Sequence, residues 1–231
     1  MSNELLWLIF AITNFVLMIG MYKLFGRVGI FVWIGIATII ANIQVIKSIE
    51  LFGMSATLGN IMYGTIFLGT DALNEIYGKK QAKRAVFMGF YVLIATLILM
   101  QLMLLFIPGP SDFGQEPLSI IFGFWVRLII GSLAAFLVSQ LLDVTLFQWI
   151  KSKLPANKWL WVRNNGSTIL SQAIDTLIFV PIAFLGTMPF ETVVEIAIST
   201  YIIKIMVAVL DTPFLYAMKR IKPLELFSDL G

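Results

Sequence analysis

Hydrophobic runs about twenty residues long follow one another down almost the whole chain, separated only by short polar connections. Hydrocarbon offers no water to a free backbone N–H or C=O, so such a run crosses a membrane only as a helix or as part of a closed barrel. The runs are continuously apolar rather than alternating, which selects the helix. Composition agrees: 59% of the 231 residues are hydrophobic and 13% charged, with a mean hydropathy of +0.94. That is more apolar surface than a soluble domain of this size needs for its core. The sequence therefore predicts an all-α polytopic membrane protein, a single transmembrane domain over residues 1–231.

A window of about 19 residues marks seven spans, at roughly 4–25, 28–49, 59–77, 81–107, 117–150, 165–186 and 189–220. Each is long enough for about 30 Å of hydrocarbon, and the fifth and seventh have residues to spare for tilt. The first lacks a basic leader and a small-residue cleavage site, so it reads as a retained helix. Basic residues occupy alternate connections: Lys23 and Arg27; Lys79, Lys80, Lys83 and Arg84; Lys151, Lys153, Lys158 and Arg163; then Lys219, Arg220 and Lys222. The intervening connections hold Lys47 with Glu50, Asp112 with Glu116, and Glu191. Positive charge stays on the cytoplasmic side, which predicts the N-terminus outside and the C-terminus inside. Trp149, Trp159 and Trp161 beside the basic fifth connection suit an interfacial aromatic belt. These loop charges read as solvated and topogenic. They also account for the net charge of +3 without a nucleic-acid partner.

The chain has no cysteine and no histidine. Disulfides, thiolate nucleophiles, imidazole bases and the usual soft-metal ligands are excluded, and no metal or cofactor is expected. No nucleotide-binding motif and no pairing of a nucleophile with a catalytic base is visible, so the expectation is a protein that is not an enzyme.

Four charges interrupt the hydrophobic spans: Asp71, Arg127, Asp175 and Lys204. A charge at the bilayer centre costs about 2.5 kcal/mol or more, and such residues usually face a protected interior and mark a pathway or site. At about 1.5 Å per residue all four fall near the midplane. Two acids and two bases at one level predict a coupled network, with Asp211 on the same side of the seventh span as Lys204. Polar neighbours follow helical spacing. Asp71, Asn74 and Glu75 share one face of the third span; Thr168, Gln172, Asp175 and Thr176 form another on the sixth; Asn42 adds an amide on the second. A structural ion clamp has no use for these amides, which offer both donors and acceptors to a neutral or weakly charged heterocycle. Phe67 and Phe179, each four residues from an acid, offer stacking surfaces or plain packing. Asp143 follows Arg127 by sixteen residues, a rotation of roughly 160° on a straight helix, so the two are not expected to share a face. Pro181 and Pro213 are candidate kinks. The pentapeptides at 139–143 and 171–175 share a Ser-Gln-x-x-Asp pattern on oppositely directed spans, too short by itself to establish an inverted repeat.

The run Gly69-Thr70-Asp71-Ala72-Leu73-Asn74-Glu75-Ile76-Tyr77-Gly78, then Arg127, the 139–143 pentapeptide and the stretch 164–176 resemble the queuosine precursor transporter family of bacterial inner-membrane proteins. The resemblance covers about residues 28–218. It implies import of a 7-deazaguanine, and a six-helix core similar to the vitamin-binding membrane subunits of energy-coupling-factor transporters. Residues 28–220 would be that core, with 1–27 an additional helix, auxiliary or dimerising. Position by position the resemblance marks Asn42, Asp71, Glu75, Arg127, Gln172, Asp175 and Lys204. Together with Asn74, the acids and amides among these are the expected substrate-binding residues. Glu75 or Asp175 would accept from the base's ring N–H and amine, and an amide or Lys would donate to its carbonyl. Two alternatives remain at this stage: a binding subunit served by an ATP-driven partner, and an intramembrane enzyme using paired aspartates.

Overall fold

The computed structural model describes residues 2–123, 126–187 and 189–224, with side chains for all of these except 55, 123 and 126–129. In chain order the elements are α1 (Asn3–Gln44), the strands β1 (Ser48–Leu51) and β2 (Met54–Thr57), α2 (Gly59–Tyr77), α3 (Lys79–Leu104), a short α4 (Gln115–Leu118), α5 (Val126–Lys153), α6 (Leu160–Phe184) and α7 (Phe190–Arg220). Among the described residues five helical segments are long and apolar enough to cross a membrane: Asn3–Gln44, Lys79–Leu104, Ile130–Lys153, Asn157–Phe184 and Phe190–Arg220. Leu99, Leu102, Leu177 and Val209 are exposed on the outside of the bundle, as an all-α membrane protein in lipid requires.

At 42 residues, α1 would be about 63 Å long if straight. It folds back instead. Gly26 takes φ 56° and ψ −137°, a conformation open to a residue without Cβ, and a Cβ on Gly29 would sit 2.2 Å from the carbonyl oxygen of Met21. Asn3 Nδ2 donates to the Glu50 carbonyl at 2.9 Å, 47 residues further on, so residues 3–25 and 27–44 run in opposite directions. The first segment is no loose addition. Its Trp7, Phe15, Met18 and Tyr22 are buried, and Phe15 packs on Phe214 with ring centroids 4.7 Å apart.

The second span was expected to continue as helix to residue 49. It stops at Gln44, and the chain turns into an antiparallel hairpin with Ser48 opposite Thr57 and Leu51 opposite Met54. Phe52 and Gly53 both have positive φ, 52° and 73°, the combination a two-residue type I′ turn demands. The hairpin is fastened to the start of α1, where Phe52 N–H donates to Glu4 Oε1 at 3.3 Å and the Trp7 and Phe52 rings meet edge to face at 6.4 Å.

The inner element is α2, with 15 of its 19 residues buried. Gly64 lets α7 close on it, since a Cβ there would lie 2.1 Å from Val207 Cγ1. Only Gly78 separates α2 from α3. The fifth span is not one continuous helix. It starts with α4 and a π-helical turn, Ser119–Gly123, before α5. There the Ser119 hydroxyl donates to the Gln115 and Glu116 carbonyls, and Gln101 Nε2 donates to the Phe122 carbonyl. Side chains thus take up carbonyls in an irregular turn.

Candidate functional site

A cavity of about 470 Å³ opens at the hairpin end of the bundle. Its apolar wall includes Ile39, Leu93, Leu97, Phe179 and Phe184, and its polar wall Asn42, Asn60, Tyr63, Ser132, Asp175 and Lys204. The polar side chains are mostly tied to one another. Ser132 Oγ donates to Asn42 Oδ1 at 3.1 Å, which leaves it to accept from Tyr63 Oη at 2.9 Å, while Asn42 Nδ2 donates to the Thr38 carbonyl at 2.8 Å. Lys204 Nζ pairs with Asp175 Oδ2. Asp175 Oδ1 accepts from Ser139 Oγ at 2.9 Å. Low-dielectric walls make this pair strong, and a carboxylate held by a hydroxyl and an ammonium still has lone pairs for a ligand's N–H groups.

Beneath the cavity lies a buried polar layer. Asp143 Oδ1 accepts from Ser171 Oγ at 2.9 Å and lies 3.2 Å from Thr168 Oγ1, which is itself 3.5 Å from Asp71 Oδ2. Asp71 and Asp143 therefore face each other across a shared hydroxyl. The two Ser-Gln-x-x-Asp pentapeptides exchange partners: Ser139 serves Asp175, and Ser171 serves Asp143. Gln140 Oε1 accepts from Thr70 Oγ1 at 3.2 Å, Asn74 Nδ2 donates to the Val144 carbonyl at 2.9 Å, and Asn164 Nδ2 donates to Asp211 Oδ1 at 2.6 Å.

At the end of the bundle away from the hairpin, Glu75 is held by three cations: Lys151 Nζ at 3.1 Å, the buried Arg163 at 3.0 Å, and Lys219. Arg163 also donates to the Leu154 and Ala156 carbonyls at 2.7 and 3.0 Å.

The expected single polar centre is thus corrected to three levels. Of the expected binding residues, Asn42 and Asp175 line the cavity; Asp71 and Asn74 belong to the layer beneath it, Gln172 is buried on α6 outside the cavity lining, and Glu75 belongs to the cation cluster. Of the expected charge network, Lys204 and Asp175 pair, whereas Asp71 meets Asp143, and Asp211 meets an amide. The side chain of Arg127 lies outside the described residues. Lys151, Arg163 and Lys219 were read as solvated loop charges, yet all three bind Glu75. Asn60, Tyr63 and Ser132 were missed as cavity residues. Their neighbours lie on other helices, and one helix's periodicity carries no signal of that; the repeated pentapeptide was the one sequence clue to the partnership of α5 and α6.

Bundle and cavity define the class: a multi-pass membrane protein built around a site large enough for a small molecule. Residues 57–218 match the family model described as "Putative vitamin uptake transporter". A "Probable queuosine precursor transporter" of Bacillus subtilis (strain 168) is 49% identical over 96% of this chain and 97% of its own length. The "Queuosine precursor transporter" of Escherichia coli (strain K12) is 28% identical over 73% of this chain and 75% of its own. A third relative, from Haemophilus influenzae, is 29% identical over 69% of this chain and 66% of its own. No solved structure matches the chain. The chain belongs to the queuosine precursor transporter family.

Proposed function

We propose that this protein imports a 7-deazaguanine across the bacterial inner membrane, and that the hairpin-end cavity is the outward-facing binding site. The carrying observation is the composition of that cavity: a carboxylate, Asp175, in a lining that also holds amides and hydroxyls together with Phe179 and other apolar groups. A guanine-like edge presents a ring N–H and an exocyclic amine, both of which an acceptor-only group receives. The relatives from Bacillus subtilis and Escherichia coli are named queuosine precursor transporters, which supports a solute of this kind. Seven crossings are proposed, with α1 contributing two on either side of Gly26 and α2 a buried one. The hairpin is then extracytoplasmic, and the Glu75 cluster, with Lys151, Arg163 and Lys219 around it, bars the cytoplasmic end in this state.

Uptake of labelled 7-deazaguanine into liposomes that contain this chain alone tests the reading. Accumulation or equilibration above protein-free liposomes is the expected result. Binding without uptake, restored by adding an ATP-hydrolysing partner, would favour a binding subunit, and absence of binding would remove the substrate class. Asp175→Asn exchanges one carboxylate oxygen for a donor. It is expected to weaken 7-deazaguanine binding about 10-fold or more in equilibrium binding to purified protein, because that donor meets the donor edge of the base.

A further inference from the structure

The proposed site uses one copy of the repeated pentapeptide and leaves the other without a role. The repeat also runs further than five residues: Ser139, Gln140, Asp143 and Phe147 on α5 recur at the same spacing as Ser171, Gln172, Asp175 and Phe179 on α6. Its contacts are reciprocal, since Ser139 Oγ donates to Asp175 Oδ1 and Ser171 Oγ to Asp143 Oδ1, both at 2.9 Å. A contact from i to j matched by one from j to i defines a local two-fold axis. Between antiparallel helices that axis lies across the bundle, the direction that relates the outward and inward halves of transporters built from inverted repeats. The two copies stand in different surroundings. Asp175 and Phe179 line the hairpin-end cavity, whereas Asp143 and Phe147 are fully buried. Each aspartate lies one turn, about 6 Å, beyond its serine, Asp175 towards the hairpin and Asp143 towards the Glu75 cluster, where Lys151 and Arg163 converge. Against Asp143, among the described residues, stand the hydroxyls of Ser171 and Thr168 with Asp71 beyond, and no cation. A carboxylate buried in that way is costly, and a state that wets it relieves the cost. We infer that Asp143 is the solute-binding carboxylate of the inward-facing state, taking there the place that Asp175 holds here, with Phe147 in the place of Phe179.

The assignment rests on the proposed import of 7-deazaguanine, and sided labelling, which needs no ligand, separates the two. The chain has no cysteine, so single cysteines are introduced into the full chain in sealed membrane vesicles and treated with a membrane-impermeant maleimide from each side. Lys47→Cys beside the hairpin and Lys158→Cys between α5 and α6, both exposed positions, mark the two sides. Asp175→Cys should react from the Lys47 side and Asp143→Cys from the Lys158 side. Val144→Cys, a change of little volume one residue on, gives the second reading should Asp143→Cys fail to fold. Reaction at 143 and 144 from the Lys47 side, or from neither side, overturns the assignment. The binding role is read from the half-saturating concentration of 7-deazaguanine for transport from each side. Asp143→Asn should raise it on the Lys158 side about 10-fold more than on the Lys47 side, and Asp175→Asn the reverse. Equal effects on both sides overturn the role. A parent that moves no 7-deazaguanine sinks the substrate reading, and the labelling alone then decides for or against an inward-facing Asp143.

Discussion

At the scale of single residues, the exchanged serines carry the strongest energetic consequence. Among the described residues Asp175 has two side-chain partners, Ser139 and Lys204, and each deletion weakens the hold on a nearly buried carboxylate. Ser139→Ala should lower the unfolding free energy by about 1–3 kcal/mol, read from denaturation of the purified protein. Ser171→Ala should cost less, because Thr168 still lies 3.2 Å from the same Asp143 oxygen. Lys204→Met should be the harshest, about 3–5 kcal/mol, since it strands a charge. Adding Asp175→Asn to Lys204→Met should recover part of that loss, and a double variant no better than the single would break the claimed coupling.

Among the elements, the close approaches are what shape the bundle. Gly64→Val should push α7 off α2, because even a Cβ there lies 2.1 Å from Val207. Gly26→Val forces a β-branched residue into a positive-φ turn, at about 1–3 kcal/mol. Gly20→Ala is the control: nothing lies within 4 Å of its Cβ, and helix propensity favours alanine by about 1 kcal/mol. Thermal melting of the three variants should place Gly20→Ala at or above the parent and the other two below it. These elements were legible to different degrees. Hydrophobic run length located most of the helices, though not the end of the second span or the irregular start of the fifth, and the break at Gly26 falls in the expected connection. The hairpin was hidden because Ile46, Ile49 and Leu51 prolong the apolar character of the preceding span. The polar faces of α2 and α6 were readable from spacing, but their partners were not, because Asp71 meets Asp143 and Glu75 meets Arg163 across helix pairs whose mutual rotation is set by packing. A helical wheel relates residues of one helix only, so the rotation estimated between Arg127 and Asp143 said nothing about what Asp143 would meet on α2 or α6.

For the whole molecule, the cation cluster joins four helices, with Glu75 on α2, Lys151 on α5, Arg163 on α6 and Lys219 on α7. Reading Glu75 as a base-binding group predicts that Glu75→Gln spares the fold and weakens the ligand. Its position predicts the reverse: removing this carboxylate leaves the fully buried Arg163 without the anion it pairs with among the described residues, at about 3–5 kcal/mol of stability. The folded fraction should keep the parent's affinity for 7-deazaguanine. Melting temperature and 7-deazaguanine affinity, measured on the same sample, separate these outcomes.

The burial of α2 also bears on how the protein is made. With Asn60, Asp71, Asn74 and Glu75 in a helix of 19 residues, α2 is too polar to leave the translocon for lipid by itself, each central charge adding about 2.5–3.5 kcal/mol on the insertion scale. The apolar α3 follows after a single residue. Membrane entry of α2 is therefore expected to await α3, so that the two are released as one antiparallel pair. In a cell-free insertion assay, a chain truncated at Gly78 should leave α2 unintegrated, and one extended through Leu104 should integrate both.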